Sequence, residues 1–157
     1  MLHFLWDGPS TMRLYLGAGQ KRLAGYTHVD IAAGEGIDVV HDLNERPWPW
    51  EDASVSVIVA EDVVEHLDID LVAFCNEAWR VMRPDGELFI RTPHHQGDSS
   101  WIDPTHRWHL NEQSFEYLDP ERHWGRTYPH YTEQKWRIIS LGIRGSQNIH
   151  ALLMPRK

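Results

Sequence analysis

Met12-Arg13-Leu14-Tyr15-Leu16-Gly17-Ala18-Gly19 decides the architecture, because a short strand here runs straight into a glycine turn. Working outward, Tyr26 to Ile31 reads as a second strand ending on Asp30. Ile37 to Val40 reads as a third, with Asp42 just past its end. Val55-Ser56-Val57-Ile58-Val59-Ala60 is nearly all β-branched, as expected of a strand buried on both faces, and Glu61 follows it. Pro47-Trp48-Pro49-Trp50 is excluded from a regular central strand, since two prolines remove ladder donors. Trp48 and Trp50 cover either a ligand edge or the sheet.

Further on, Leu71, Phe74, Cys75, Ala78, Val81 and Met82 recur at three- and four-residue spacing and predict one amphipathic helix. Asp68 or Asp70 can cap its start, and Arg80 and Arg83 suit its negative end. Pro84 ends it, and Pro84-Asp85-Gly86 turns the chain into a fifth strand, Glu87 to Thr92. Residues 93–110 read as irregular, Glu112 to Leu118 as a short helix, and Arg137–Ile143 and Ile149–Met154 as strands. The Gly145-Ser146-Gln147 turn makes those last two an antiparallel edge pair. Strands alternating with helices give an α/β class with a doubly wound, mainly parallel sheet.

Composition bounds the rest. At 157 residues, one domain spanning 1–157 is expected, large enough to bury a core. No apolar run approaches the roughly eighteen residues a membrane helix needs. The apolar start, Met1 to Trp6, is too short for a signal peptide and has no basic segment before it. The single cysteine, Cys75, suits a reducing cytoplasm and reads as a small buried hydrophobe. A formal charge of −8 argues against a nucleic-acid backbone as partner, since phosphate binding needs a basic face. Eight Trp and eleven His supply stacking surfaces and proton chemistry, or core filler.

In open α/β sheets, ligands bind beyond the carboxyl ends of the strands, where the strand order reverses. Gly17 and Gly19, Asp30, Asp42 and Glu61 follow four successive strands. Glycine lets a backbone approach a ligand closely. An acid ending the second strand can accept from both ribose hydroxyls, and one after the third from an adenine amino group. Each piece alone has a plainer reading as a turn or a cap. Together they describe a nucleoside lying across the sheet edge.

This ordered series resembles the class I S-adenosylmethionine-dependent methyltransferases of the type 11-like group. The likeness runs from Leu14 to about His94. It rests on Leu14-Tyr15-Leu16-Gly17-Ala18-Gly19, Tyr26-Thr27-His28-Val29-Asp30-Ile31, Val40-His41-Asp42-Leu43-Asn44, Val57-Ile58-Val59-Ala60 through Val64-Glu65-His66-Leu67, and Glu77 through Leu88. Asp103-Pro104-Thr105-His106 resembles a loop of some members. The resemblance implies a Rossmann-like methyltransferase fold with S-adenosylmethionine as cofactor. Gly17, Ala18 and Gly19 would back its methionine part, Asp30 would hold the ribose, and Asp42 and Leu43 the adenine, with Ile31 also in the cofactor site. Ala60 or Glu61 would border its amino group.

The chain departs from that pattern. Only ten residues lie between Gly19 and Asp30, and Ala32-Ala33-Gly34-Glu35-Gly36 is too short for a helix. Parallel strands normally need a dozen or more crossover residues. The first and second crossover helices are therefore expected to be short or missing, leaving a poorly covered sheet face and an open cleft. A homodimer or a partner protein would cover that face. Asp85 stands where a glycine is usual before Gly86, and Ser56 where an acid is common.

The acceptor side is expected in the loop from Pro93 to Leu110. His94 and His106 are the candidate catalytic bases, since imidazole exchanges protons near neutral pH. His95, Trp101, Asp103 and Trp108 are the candidate acceptor-binding residues; Trp124 is a further stacking surface. All have structural readings beside these, in a loop whose backbone needs polar partners. His94, His95, His106 and His109 with Asp98 and Asp103 are metal-ligand types, but no tight paired spacing occurs, so no metal is expected. His66 reads as structural, at a helix entry.

The function expected is methyl transfer to a small molecule or glycan. Two alternatives stand beside it: a catalytically inactive binding or assembly module, and a nicotinamide-dependent oxidoreductase. The absent third glycine and the acid after strand three count against the latter.

Overall fold

A computed structural model describes residues 11–157; Met1 to Trp6 lies outside them. The strands are β1 (Met12–Leu16), β2 (Thr27–Asp30), β3 (Val39–Val40), β4 (Val55–Glu61), β5 (Met82–Pro93), β6 (Trp136–Arg144) and β7 (Asn148–Pro155). The helices are α1 (Leu71–Val81), α2 (Ser99–Ile102), α3 (Glu112–Glu116) and α4 (His123–Thr127). One sheet holds the strands in the order β3-β2-β1-β4-β5-β7-β6. β1 to β5 pair in parallel, while β7 runs antiparallel between β5 and β6. The order reverses between β1 and β4, and the last two strands form the edge pair that their sequence predicts.

Alternation along the strands shows how the sheet is covered. Leu14, Leu16, Ile58, Ala60, Leu88, Ile90, Ala151 and Leu153 are fully buried on one face. Against that face lie Phe74, Cys75, Ala78 and Val81 of α1, none of them solvent-accessible. Val57, Val59, Phe89 and Leu152 alternate with those residues and are only half-buried. The second face thus lacks a helical layer, as the short crossovers require.

Polar ties replace the missing helices. Arg22 donates to the carbonyls of Gly19, Lys21 and Glu35, joining the first two connections. The buried His28 ring accepts from Leu23 N–H at 2.9 Å and bonds Asp38 Oδ2 at 3.1 Å through Nδ1. Such satisfied networks let irregular backbone lie close to a sheet.

Asp70, not Asp68, caps α1 by accepting from Ala73 N–H at 2.8 Å. The helix stops at Val81, before Pro84, because Met82 already pairs with Val55 as β5 begins. Pro84-Asp85-Gly86 then bulges from β5 before Glu87 rejoins at Val57. Trp48 and Trp50 belong to the core: Trp48 meets Phe74 edge-on at 5.4 Å, and its backbone N–H donates to Glu77 Oε1 at 2.7 Å. The loop expected to be irregular from 93 to 110 holds the one-turn α2 and a parallel bridge between His94 and Leu110. α3 is shorter than predicted and opens on a reciprocal cap between Asn111 and Ser114. α4 has no counterpart in the sequence reading.

Candidate active site

A cleft of about 290 Å³ opens beyond the carboxyl ends of β1, β2 and β4. Five of the expected cofactor residues line it: Gly17, Asp30, Ile31, Asp42 and Leu43. Strand ends put them there, since each lies where a parallel strand gives way to its loop. Gly17 has φ +62°, and a Cβ on it would lie 2.3 Å from Val63 Cγ2. No other residue fits that floor. Gly19 has φ +52° with open space where a Cβ would stand, and its N–H donates to Asp30 Oδ2 at 2.8 Å. Asp30 Oδ1 accepts from Ala32 N–H at 3.2 Å. Each carboxylate oxygen thus holds one backbone donor and keeps acceptor capacity for hydroxyl groups.

The remaining expected residues lie elsewhere. Ala18 and Ala60 are buried behind the cleft. Glu61 is the last residue of β4, and alternation turns it to the half-covered face. There it accepts from the Tyr15 hydroxyl and from Lys21 Nζ, the latter at 3.0 Å, and meets Arg91 at 3.4 Å. Burial works to raise its carboxyl pKa, but the Tyr15 bond and the two cations outweigh it and hold it below the usual range. Burial and the Glu61 carboxylate in turn push the Tyr15 hydroxyl up.

The neighbouring Asp62 reaches the cleft instead. Its φ of +56° breaks the strand alternation, and its carboxylate pairs with Arg91. His41, Asn44, Val63, His66 and Leu67 complete the wall and were not singled out from sequence as cofactor contacts. The signal available was the turn after strand four, where a left-handed residue re-aims the chain.

Asp62 and His66 also line a second cavity, of about 590 Å³. Glu65, Asp103 and His106 share its lining with Pro93 and Ile102. Of the expected acceptor residues, then, Asp103 and His106 reach a cavity that shares a wall with the first. His94 does not line either cavity. Its buried ring accepts from Gln96 N–H at 3.2 Å and meets Glu112 at 3.2 Å. His95 leans on His94 at 4.5 Å, and its carbonyl accepts from Trp101 Nε1 at 2.7 Å. Trp101 is 62% exposed and stacks on His109 at 3.6 Å. Trp108 donates to the carbonyls of Leu67 and Ile69, fastening the loop to the turn before α1. Trp124 stacks on Tyr117 at 5.6 Å, away from both cavities.

Burial dominates the electrostatics of the second cavity. Glu65 is 1% exposed, and desolvation pushes its carboxyl pKa up to about 7. Burial, reinforced by His106, lowers the pKa of His66. Backbone donation from Thr105 holds the Asp103 carboxyl below its ordinary value.

Residues 16–90 match the family described as methyltransferase domain, and every residue lining the first cleft falls inside that segment. That segment is thus similar to a methyltransferase domain. A Mycolicibacterium smegmatis protein named as a probable S-adenosylmethionine-dependent methyltransferase is 38% identical over 92 residues. That match covers 56% of this chain and 32% of the relative, so the chain spans about a third of the relative's length. Solved structures share the fold of the methyltransferase domain at low identity. One is a SAM-dependent methyltransferase from Aquifex aeolicus: TM-score 0.59, 15% identity, covering 92% of this chain and 82% of that one. Another is the complex between the Haloferax volcanii Trm112 methyltransferase activator and a methyltransferase: TM-score 0.65, 9% identity, covering 94% and 83%.

Proposed function

We propose that this chain transfers a methyl group from S-adenosylmethionine to a small-molecule or glycan acceptor. The observation that carries the reading is the convergence of Gly17, Asp30, Asp42 and Leu43 on one cleft at the switch between β1 and β4. The donor set fits the cofactor: Asp30 keeps free acceptor sites for ribose hydroxyls, and Gly17 gives the cleft a floor without a side chain. Asp42 and Leu43 would hold the adenine. A sulfonium supplies a methyl already activated for displacement, so the chain's own work is to align the acceptor. Asp62 and His66 line both cavities, which supports reading the second as the acceptor side. His106 lines that cavity and can hydrogen-bond an acceptor or take its proton. His94, held by Glu112 and Gln96, serves the loop.

The half-covered face, with Ile139 47% exposed and Phe89 only half-buried, is read as the seat of a second copy of the chain. The Trm112 complex among the fold neighbours supports association as a habit of this architecture. No helix among the described residues is long and apolar enough to cross a membrane, and the buried Cys75 thiol suits a cytoplasmic setting. We read residues 1–157 as one working domain.

Titration calorimetry with S-adenosylhomocysteine tests the reading. Asp30→Asn should weaken binding by about 1–3 kcal/mol, the value of charge-assisted hydrogen bonds. Unchanged affinity removes Asp30 from the site, and no binding at millimolar concentration favours a binding module without catalysis.

A further inference from the structure

Three residues that no sequence motif groups meet beside the wall between the two cavities. Glu65 and His66 follow β4, and His106 arrives from the loop after β5. One ligand-type atom from each lies within 4.8 Å of the other two, and the two imidazole rings stand edge to face at 4.5 Å.

Their hydrogen bonds leave the right atoms free. His106 Nδ1 lies 3.1 Å from the Ser100 carbonyl, an acceptor only, so Nδ1 carries the proton and Nε2 keeps its lone pair. The Thr105 hydroxyl donates to Asp103 Oδ1 at 2.7 Å, and therefore accepts at 2.9 Å from His66 Nδ1. That leaves the lone pair on His66 Nε2 as well. Metal-ligating histidines are oriented in this way, through the second ring nitrogen held by a carbonyl or another oxygen. Glu65 Oε2 is bound by the Thr92 hydroxyl at 2.9 Å, whereas Oε1 is buried without a hydrogen-bond partner among the described residues. A buried carboxylate oxygen left unpaired is costly, and it calls for a donor or a cation.

We propose that Glu65, His66 and His106 form a binding site for a divalent transition-metal ion, zinc above all, facing the second cavity. Two imidazoles with one carboxylate are a ligand set for zinc and related ions, whereas calcium and magnesium favour all-oxygen sites. Asp103 Oδ2, 3.8 Å from His106 Nε2, is placed to add a further oxygen. Bonds of about 2.0–2.2 Å would draw the three ligands slightly together. With the ion bound, His106 Nε2 acts as a ligand in place of a base, and positions left open toward the cavity suit an oxygen donor of the acceptor. Only that last role rests on the methyltransferase reading; the ion's binding does not.

The test uses the full-length chain, freed of metal with a chelator and titrated with Co²⁺ and then Zn²⁺. A single equivalent of Co²⁺ should give the visible absorption of a low-coordinate nitrogen–oxygen site, and Zn²⁺ should displace it. His106→Gln and Glu65→Gln should each weaken Zn²⁺ binding by roughly a hundredfold, because losing even an outer partner of a ligand costs about 10–100-fold. Thr105→Val, which removes only the group holding His66, should show that smaller loss. The exposed histidines in His123→Gln and His130→Gln should leave binding unchanged. Absence of the cobalt spectrum overturns the site. So does binding that survives His106→Gln and Glu65→Gln, since the ion then sits elsewhere among the eleven histidines. Asp30→Asn should lose cofactor affinity yet bind Zn²⁺ normally, so failure of the metal site and failure of the cofactor reading appear in different titrations.

Discussion

Replacing Gly17 by alanine would strike the cleft floor in two separable ways. The left-handed conformation at φ +62° costs an L-residue about 1–2 kcal/mol. The new methyl would stand 2.3 Å from Val63 Cγ2, so Val63 must shift inside a buried cluster. Overpacking of that kind costs about 1–3 kcal/mol. Gly17→Ala should therefore lose about 2–5 kcal/mol, a large share of the 5–15 kcal/mol typical of a domain. Gly19→Ala is the internal control, because it has φ +52° but nothing within 4 Å of the added methyl. It should lose only the conformational part, about 1–2 kcal/mol. Urea unfolding of the two variants, with slopes checked for equality, reads the difference as the clash. Adding Val63→Ala to Gly17→Ala should recover the clash and leave the strain, giving a favourable coupling of about 1–3 kcal/mol. Equal losses at Gly17 and Gly19, or zero coupling with Val63, would refute the packing argument.

Three further outcomes are expected. In the metal-free chain, Glu65 has a folded pKa of about 7 against an ordinary 4.5, so the folded state keeps a proton that the unfolded state has released. Its stability contribution is full below pH 4.5 and is lost as pH rises to about 7, by about 3 kcal/mol in all. Glu65→Gln should flatten that slope in unfolding curves taken across the window, and an unchanged slope would assign it to other groups. His94→Phe should destabilise by about 1–3 kcal/mol through the unpaired Glu112 and Gln96 groups it leaves, read as a fall in Tm; full stability with lost turnover would return His94 to catalysis. Light scattering at micromolar concentration should give a dimer, dissociated by Ile139→Lys or Phe89→Lys on the half-covered face; a monomer would leave that face free.

The local physics of the strands was legible from the start. The β-branched run Val55–Ala60, the glycine turn after Leu16 and the spacing from Leu71 to Met82 depend on neighbours a few residues away. So does the missing helical cover, since too few residues separate β1, β2 and β3 to build it. The order of strand-end residues was enough to place Gly17, Asp30, Asp42 and Leu43 in one cleft. Which face each of the others takes was a matter for tertiary structure. Glu61 and Asp62 are adjacent acids that share Arg91, and a single left-handed φ brings Asp62 to the cleft wall while Glu61 stays with Tyr15 and Lys21. His94 and His106 look alike in the loop. Only packing against Glu112 makes the first a tether, while the fold carries the second across to Glu65 and His66. Contacts between residues some forty positions apart have no period and no local signature, because it is the closing of the sheet that brings them together.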